Sequence, residues 1–188
     1  DTPSVRFIEK ASGVGHRYVM DKTGVLDPNR LHPRLPLRGE DELSIQAEIS
    51  VAAAEEALAQ AGLTGSDIDA IIVGCSNIPR AYPAVAIEVQ AALGAGGYAY
   101  DMNVACSTAT FAMQNAVDAI RSGSAKRVLV INPEITSGHN NFELREFHFI
   151  FGDACTAVVL EAEESAGSGG GWDVVGTKLV TKFSNNIR

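Results

Sequence analysis

Cys106 is the residue whose type and place could do chemistry. It stands in DMNVACSTATF (101–111), behind an apolar, β-prone run and ahead of small residues able to start a helix. A thiolate is a strong nucleophile, so a cysteine placed there could attack a substrate carbonyl. The unsatisfied N–H groups of a helix N-terminus carry about half a positive charge, which favours thiolate over thiol. The Cys106 amide could also donate to an oxyanion. Its neighbours Ala105, Ser107, Thr108 and Ala109 are small enough to let a carbonyl approach. The same position also suits a small hydrophobe packed at a strand end, where most free cysteines lie. Cys75, inside AIIVGC, and Cys155, entering a strand behind Gly152-Asp153-Ala154, suit that second role better.

His139 and His148 could complete a Cys–His pair, but a pair needs spatial proximity that spacing does not show. SGHNN reads as a polar surface loop and His148 precedes an apolar run, so both are read as non-catalytic. His16 and His32 lie in polar, proline-rich surroundings and suggest nothing.

The elements that must position Cys106 follow from periodicity. Before Glu40 the chain is rich in Pro, Arg and Gly and reads as irregular, with one short helical turn. Leu43, Ala47, Val51, Ala54, Leu58 and Ala61 recur at helical spacing, with Asp41 as a cap and Gly62 as a stop. AIIVGC (70–75) reads as a strand buried on both faces. Pro83 suits the first residue of a helix ending near Leu93, with Gly94 behind it. Tyr98–Val104 reads as a strand, 107–120 as a helix ended by Gly123, and VLVI (128–131) as another buried strand. TAVVLEAE (156–163) is a fourth strand and WDVVGTKLVTKF (172–183) a fifth, after a flexible Gly/Ser connector at 165–171. Strands alternating with helices at these lengths call for a parallel sheet with helical crossovers, an α/β class. Cys106 then sits at the carboxyl end of a strand, where open α/β sheets bind ligands.

Composition narrows the rest. The chain has 188 residues, 46% of them hydrophobic and 20% charged, enough for one domain with a sizeable core. A net charge of −8 and the lack of a basic run argue against nucleic-acid binding. No apolar run reaches the length of a membrane span, and DTPSVRFIEK holds no signal-peptide core. Three scattered cysteines give no disulfide framework, so a reducing cytoplasm is expected.

NVACSTATFAMQNAVDAIRSGSAKRVLVI with FIFGDACTAVVLE (149–161) resembles the N-terminal half of a β-ketoacyl-acyl-carrier-protein synthase III, in the thiolase superfamily. CSNIPRAYPAVAIEVQAALG and LSIQAEISVAAAEEALAQAGLTGSDIDAIIVG are similar to the segments that family places upstream. The resemblance runs from about Phe7 to Glu161 and favours the nucleophile reading of Cys106. It implies a decarboxylative Claisen condensation: Cys106 takes an acyl group from acyl-CoA, and the enolate of malonyl-acyl-carrier protein attacks the thioester. No cofactor and no metal is implied.

The resemblance also assigns companions. Arg145 falls where the family keeps an arginine against the CoA nucleotide, where a guanidinium can stack or pair with phosphate; a solvated charge near Glu143 or Glu146 fits as well. Phe7 falls where the family often has a tryptophan stacked on adenine. Tyr82 matches a position that closes the partner's acyl pocket across a homodimer, or is an ordinary aromatic anchor. Phe111 and Met113 could line the acyl pocket or be plain core. Gly152 is read as permitting a tight turn and Asp153 as structural. Arg121, Lys126 and Arg127 form one small basic cluster for an acidic carrier protein. The family's catalytic histidine, asparagine and second oxyanion donor lie in its other half, and its first strand precedes Phe7. The expectation is therefore one thiolase-like domain over 1–188, a mostly parallel sheet covered by helices, with the first strand and second half missing and supplied in the same or a second chain. Related readings are another acyltransferase or acyl-condensing enzyme of the superfamily, a cysteine thioesterase using His139 or His148, and a non-catalytic partner subunit.

Overall fold

The computed structural model describes residues 4–144, 148–166 and 170–185. The segment ahead of Glu40 holds more order than its composition predicts. Helix α1 (Val5–Ser12) opens with the Ser4 hydroxyl accepting the Phe7 N–H and closes on Gly13, which takes the left-handed conformation at φ 75°. The short α2 (Lys22–Leu26) is capped by Asp21. The signal was present as a Ser cap and a Gly stop nine residues apart, but α1 buries no side chain, so no hydrophobic period announces it.

Helix α3 (Ile45–Ala61) is capped by Ser44, whose hydroxyl accepts the Ala47 N–H at 3.2 Å, and not by Asp41. Gly62 ends it at φ 68°, as expected. Strand β1 (Ala70–Gly74) follows, and all five of its residues are buried. Helix α4 (Val85–Leu93) starts two residues beyond Pro83, so the proline precedes the helix instead of opening it. The physical reason lies in Asp101, whose carboxylate takes the N–H groups of Val85 and Ala86 at 2.8 Å each and so fixes where the helix begins. Strand β2 (Tyr98–Met102) leads through one 3₁₀ turn into α5 (Thr108–Arg121), then β3 (Arg127–Ile135) and β4 (Asp153–Glu161).

The sheet order is β2-β1-β3-β4. β1 runs parallel to β2, with Ala70 opposite Tyr98 and Gly74 opposite Met102. It also runs parallel to β3, with Ala70 opposite Val128. β4 returns antiparallel to β3. The expected α/β architecture with a mostly parallel sheet is therefore the one found. Alternation along β1 divides the core. Ile71 and Val73 face α3 and α4, meeting Ala47, Ala54, Leu58, Val85 and Val89. Ala70 and Ile72 face α5, meeting Ala112, Ala116 and Val117. Helices thus cover both faces, and the α5 layer fixes the rotation of the helix behind Cys106.

The fifth strand does not form. Residues 170–185 carry no strand, and Trp172 and Val175 are 99% and 94% exposed. WDVVGTKLVTKF has the β-propensity but no ladder partner among the described residues, and pairing is what makes a strand. Of the connector at 165–171, residues 167–169 lie outside the described residues. No helix of the described residues is long and apolar enough to cross a membrane.

Candidate active site

Cys106 occupies the middle of the 3₁₀ turn Ala105–Ser107, between the carboxyl end of β2 and the first residue of α5. Its side chain is free and exposed. The turn is sharp because Ala105 adopts φ 47°, in the left-handed region. A non-glycine residue there costs roughly 1–2 kcal/mol, so its surroundings must hold it.

They do so on both sides. The Asn103 Oδ1 accepts the Ala105 N–H at 2.9 Å. The Thr108 hydroxyl accepts the Val104 N–H at 2.9 Å and donates to the Ala105 carbonyl at 2.6 Å. The Ser107 N–H closes the turn on the Val104 carbonyl at 3.1 Å. Among the described residues no partner takes up the Cys106 N–H, which leaves that amide as a donor beside the thiol.

Beneath Thr108 the backbone comes close. A Cβ on Gly74 would stand 2.7 Å from the Thr108 Cγ2 and 2.5 Å from the Asn132 Nδ2. Only glycine lets the end of β1 pass under the head of α5. Asn132 also donates to the Gly74 carbonyl at 3.0 Å. The loop after β1 is fastened by Glu134 of β3, which accepts the Ser76 N–H at 2.7 Å, the Ser76 hydroxyl at 2.8 Å and the Asn77 amide at 3.1 Å. The Asn103 Nδ2 reaches the Ser76 carbonyl at 3.4 Å. Strand ends β1, β2 and β3 thus share one polar floor around the Cys106 turn.

Of the other two cysteines, Cys75 is a core thiol and Cys155 is half-buried against the core. Burial pushes Cys75 up to about 12 and Cys155 up to about 11, so both stay protonated in the neutral range. His139 is exposed in its loop. The His148 carbonyl accepts from Arg17, and its ring meets Phe149 edge to face. His32, which the sequence left without a role, ties two loops, with each ring nitrogen 2.9 Å from a carbonyl, that of Pro33 and that of Gly138.

The expected companions of Cys106 are scattered. Phe7 is 60% exposed on α1. Its neighbours Val5 and Ile8 line a hollow of about 610 Å³ with Tyr18, Val25, His148 and Phe149, and Cys106 is not in its wall. Arg145 lies outside the described residues. Tyr82 is exposed on the loop that Glu134 fastens. Phe111 and Met113 are half-buried on α5, and neither joins the main core. Arg127 is drawn out of the basic cluster by Glu161, 3.0 Å away, leaving Arg121 and Lys126 exposed.

Asp153 is structural, as expected. It accepts the Ser137 N–H and the Met20 N–H, each at 2.7 Å, and the Ser137 hydroxyl at 2.5 Å. Gly152 is needed for close approach rather than for an unusual turn, since an added Cβ would sit 2.8 Å from the Tyr18 carbonyl. Sequence reasoning missed Asn103, Asp101, Glu134 and Asn132. Asn103 and Thr108 flank Cys106 closely enough to be suspected, but no spacing rule links Glu134 or Asn132 to it.

Comparison with known proteins bears on the fold and the sequence as a whole. Residues 100–182 match the family described as 3-oxoacyl-[acyl-carrier-protein (ACP)] synthase III. The chain is 60% identical over 185 residues to the β-ketodecanoyl-[acyl-carrier-protein] synthase of Pseudomonas aeruginosa, covering 98% of this chain and 53% of that protein. It is 37% identical to the β-ketoacyl-[acyl-carrier-protein] synthase III of Bartonella tribocorum, over 86% of this chain and 46% of that one. Among solved structures, the 3-oxoacyl-[acyl-carrier-protein] synthase III of Aquifex aeolicus superposes with a TM-score of 0.65 at 30% identity, over 87% of this chain and 46% of its own. The corresponding enzyme of Pseudomonas aeruginosa gives 0.67 at 26%, over 85% and 44%. The chain spans about half the length of the curated relatives it matches. In sequence and in fold, the chain matches the 3-oxoacyl-[acyl-carrier-protein] synthase III family over about half the length of the relatives compared.

Proposed function

We propose that Cys106 is the acyl-carrying nucleophile of a β-ketoacyl-acyl-carrier-protein synthase acting in fatty-acid or polyketide synthesis in the cytoplasm. The observation that carries this reading is the exposed thiol on a backbone-clamped turn at the head of α5, with an untaken N–H beside it. The thiolate adds to the carbonyl of an acyl-CoA, and the Cys106 N–H meets the developing oxyanion. Collapse expels the CoA thiolate and leaves an acyl-Cys106 thioester. Malonyl-acyl-carrier protein loses CO₂, and its enolate attacks the thioester carbonyl. The new C–C bond gives β-ketoacyl-acyl-carrier protein and returns the Cys106 thiolate.

The primer length follows from the relative at 60% identity, a β-ketodecanoyl synthase. A ten-carbon product made by adding two carbons needs an eight-carbon primer, so octanoyl-CoA is the substrate proposed here. Phe111 and Met113, half-buried beyond the main core of α5, are the side chains of this chain available to such an acyl tail. Phe7 and Arg145 are the proposed contacts to the CoA nucleotide, and Tyr82 the proposed contact across a homodimer. The exposed cations Arg121 and Lys126 suit an acidic carrier protein. The groups that promote decarboxylation are proposed to lie in the half of the fold that the relatives have in addition.

Intact mass of the protein, with and without acyl-CoAs of two to ten carbons, tests the reading. The expected result is one acyl adduct on the Cys106 peptide, greatest with octanoyl-CoA, absent in Cys106→Ala and discharged as a β-ketoacyl product only when malonyl-acyl-carrier protein is added. Free acid released without the malonyl donor would show a thioesterase, and no adduct at all a non-catalytic subunit; either result overturns the proposal.

A further inference from the structure

Taking Cys106 as the acylated thiol, as proposed above, we infer that Thr108 and Asn103 are positioning residues, which hold Ala105 in the left-handed conformation and thereby aim the Cys106 sulfur at the acyl carbonyl. Between them they engage both backbone polar groups of Ala105. The Asn103 Oδ1 takes its N–H at 2.9 Å, and the Thr108 hydroxyl reaches its carbonyl at 2.6 Å while accepting the preceding Val104 N–H at 2.9 Å.

Alanine supplies no preference for φ 47°, so the conformation depends on these bonds. Thr108 is only 3% exposed, so water does not replace its hydroxyl. It is also braced from below by Gly74, where no Cβ would fit. Asn103 is in turn referred to the sheet, because its Nδ2 donates to the Ser76 carbonyl and Ser76 is held by Glu134 of β3. Neither side chain needs to touch substrate. Both act through the backbone that carries the nucleophile, whose placement is sensitive because a misplacement of about 1 Å costs on the order of a hundredfold in rate.

The test compares four single variants of the intact protein with the wild type. Acyl transfer from octanoyl-CoA to Cys106 is followed by mass against substrate concentration, and alkylation of Cys106 by iodoacetamide serves as a reaction of a small electrophile that needs little aim. Thr108→Val keeps the shape but removes the hydroxyl, and Asn103→Leu removes the acceptor. Each is expected to lower the maximal acyl-transfer rate by about 10- to 100-fold, with half-saturation and iodoacetamide reactivity almost unchanged. Thr108→Ser restores the missing hydroxyl and should recover most of the rate, whereas Asn103→Asp restores the acceptor for the Ala105 N–H but not the donor to Ser76 and should recover part of it.

Unchanged acyl transfer in Thr108→Val and Asn103→Leu overturns the inference, as does Thr108→Ser failing like Thr108→Val. A parallel loss of iodoacetamide reactivity also overturns it, because the thiol itself would then have changed. Should thermal melting show that Thr108→Val is unfolded, the Asn103 pair decides alone. A wild type that does not load acyl groups refutes the acyl-transfer reading itself, and this assignment falls with it.

Discussion

Gly74→Ala is a single added methyl whose consequences follow from the distances around it. The new Cβ would lie 2.7 Å from the Thr108 Cγ2 and 2.5 Å from the Asn132 Nδ2. Carbon–carbon contact relaxes at about 3.5–4.0 Å, so the Thr108 methyl must retreat by about 1 Å. Asn132 can swing its amide aside at the cost of its 3.0 Å bond to the Gly74 carbonyl. Thr108 has no such freedom, because it is β-branched and its hydroxyl bonds both the Val104 N–H and the Ala105 carbonyl. The displacement therefore passes into the turn that carries Cys106.

Overpacking of this kind costs about 2 kcal/mol, which lowers the melting temperature by about 4–8 °C in a domain of this size. With Cys106 as the proposed nucleophile, a shift of about 1 Å in its position should lower acyl transfer by on the order of a hundredfold. Thermal melting and octanoyl loading of Cys106, measured on the same preparation, read both effects. Adding Thr108→Ser deletes the clashing methyl but keeps the hydroxyl, so the double variant should regain most of the loading rate. Gly74→Ala that melts and loads like the wild type would refute the close approach on which the argument depends, and a double variant no better than the single would refute the path through Thr108.

Three further outcomes are expected. Asp101→Ala should destabilise the fold by about 1–2 kcal/mol in urea unfolding, because its carboxylate is the side-chain cap that Ala84 does not supply to α4; an unchanged midpoint would deny it that role. At pH 8, iodoacetamide should label Cys106 and leave Cys75 and Cys155 unlabelled until denaturant is added. Burial pushes the Cys75 thiol up to about 12, and partial burial pushes Cys155 up to about 11, from an ordinary value of 9.0. The protonated thiol is the form the fold favours, so this share of stability is full below pH 9, declines as pH rises through 11 and 12, and predicts alkaline unfolding that weakens when Cys155→Ser removes one of the groups. Labelling of all three cysteines in the native state would contradict the burial.

The parts of the fold that were legible in the sequence are those where one physical rule acts alone. AIIVG reads as a doubly buried strand because it has nothing polar to place, and it is fully buried. Gly62 and Gly94 read as helix stops because left-handed caps favour glycine, and both take that conformation. The errors arise where a distant group decides. Asp101 moved the start of α4 past Pro83, although 18 residues separate it from that proline in the chain. Ser44 displaced Asp41 as the cap of α3 while its own N–H and hydroxyl were taken by Glu88 at 2.9 and 2.8 Å. WDVVGTKLVTKF has a strand's composition, but composition does not supply the neighbouring strand.

The candidate site divides in the same way. Cys106 could be suspected from its place between a strand and a helix, and resemblance to a family raised that suspicion to a prediction. Its geometry could not be read, because alanine carries no signal for a left-handed backbone and is among the residues that avoid it. The turn at Ala105 exists because Asn103 and Thr108 close on it from either side and Gly74 leaves room beneath. Three residues with ordinary propensities thus produce a conformation that none of them favours by itself. Such a turn keeps its shape only while the end of β1 and the head of α5 stay in contact, which makes packing at Gly74 a condition for aiming the proposed nucleophile as well as a term in stability.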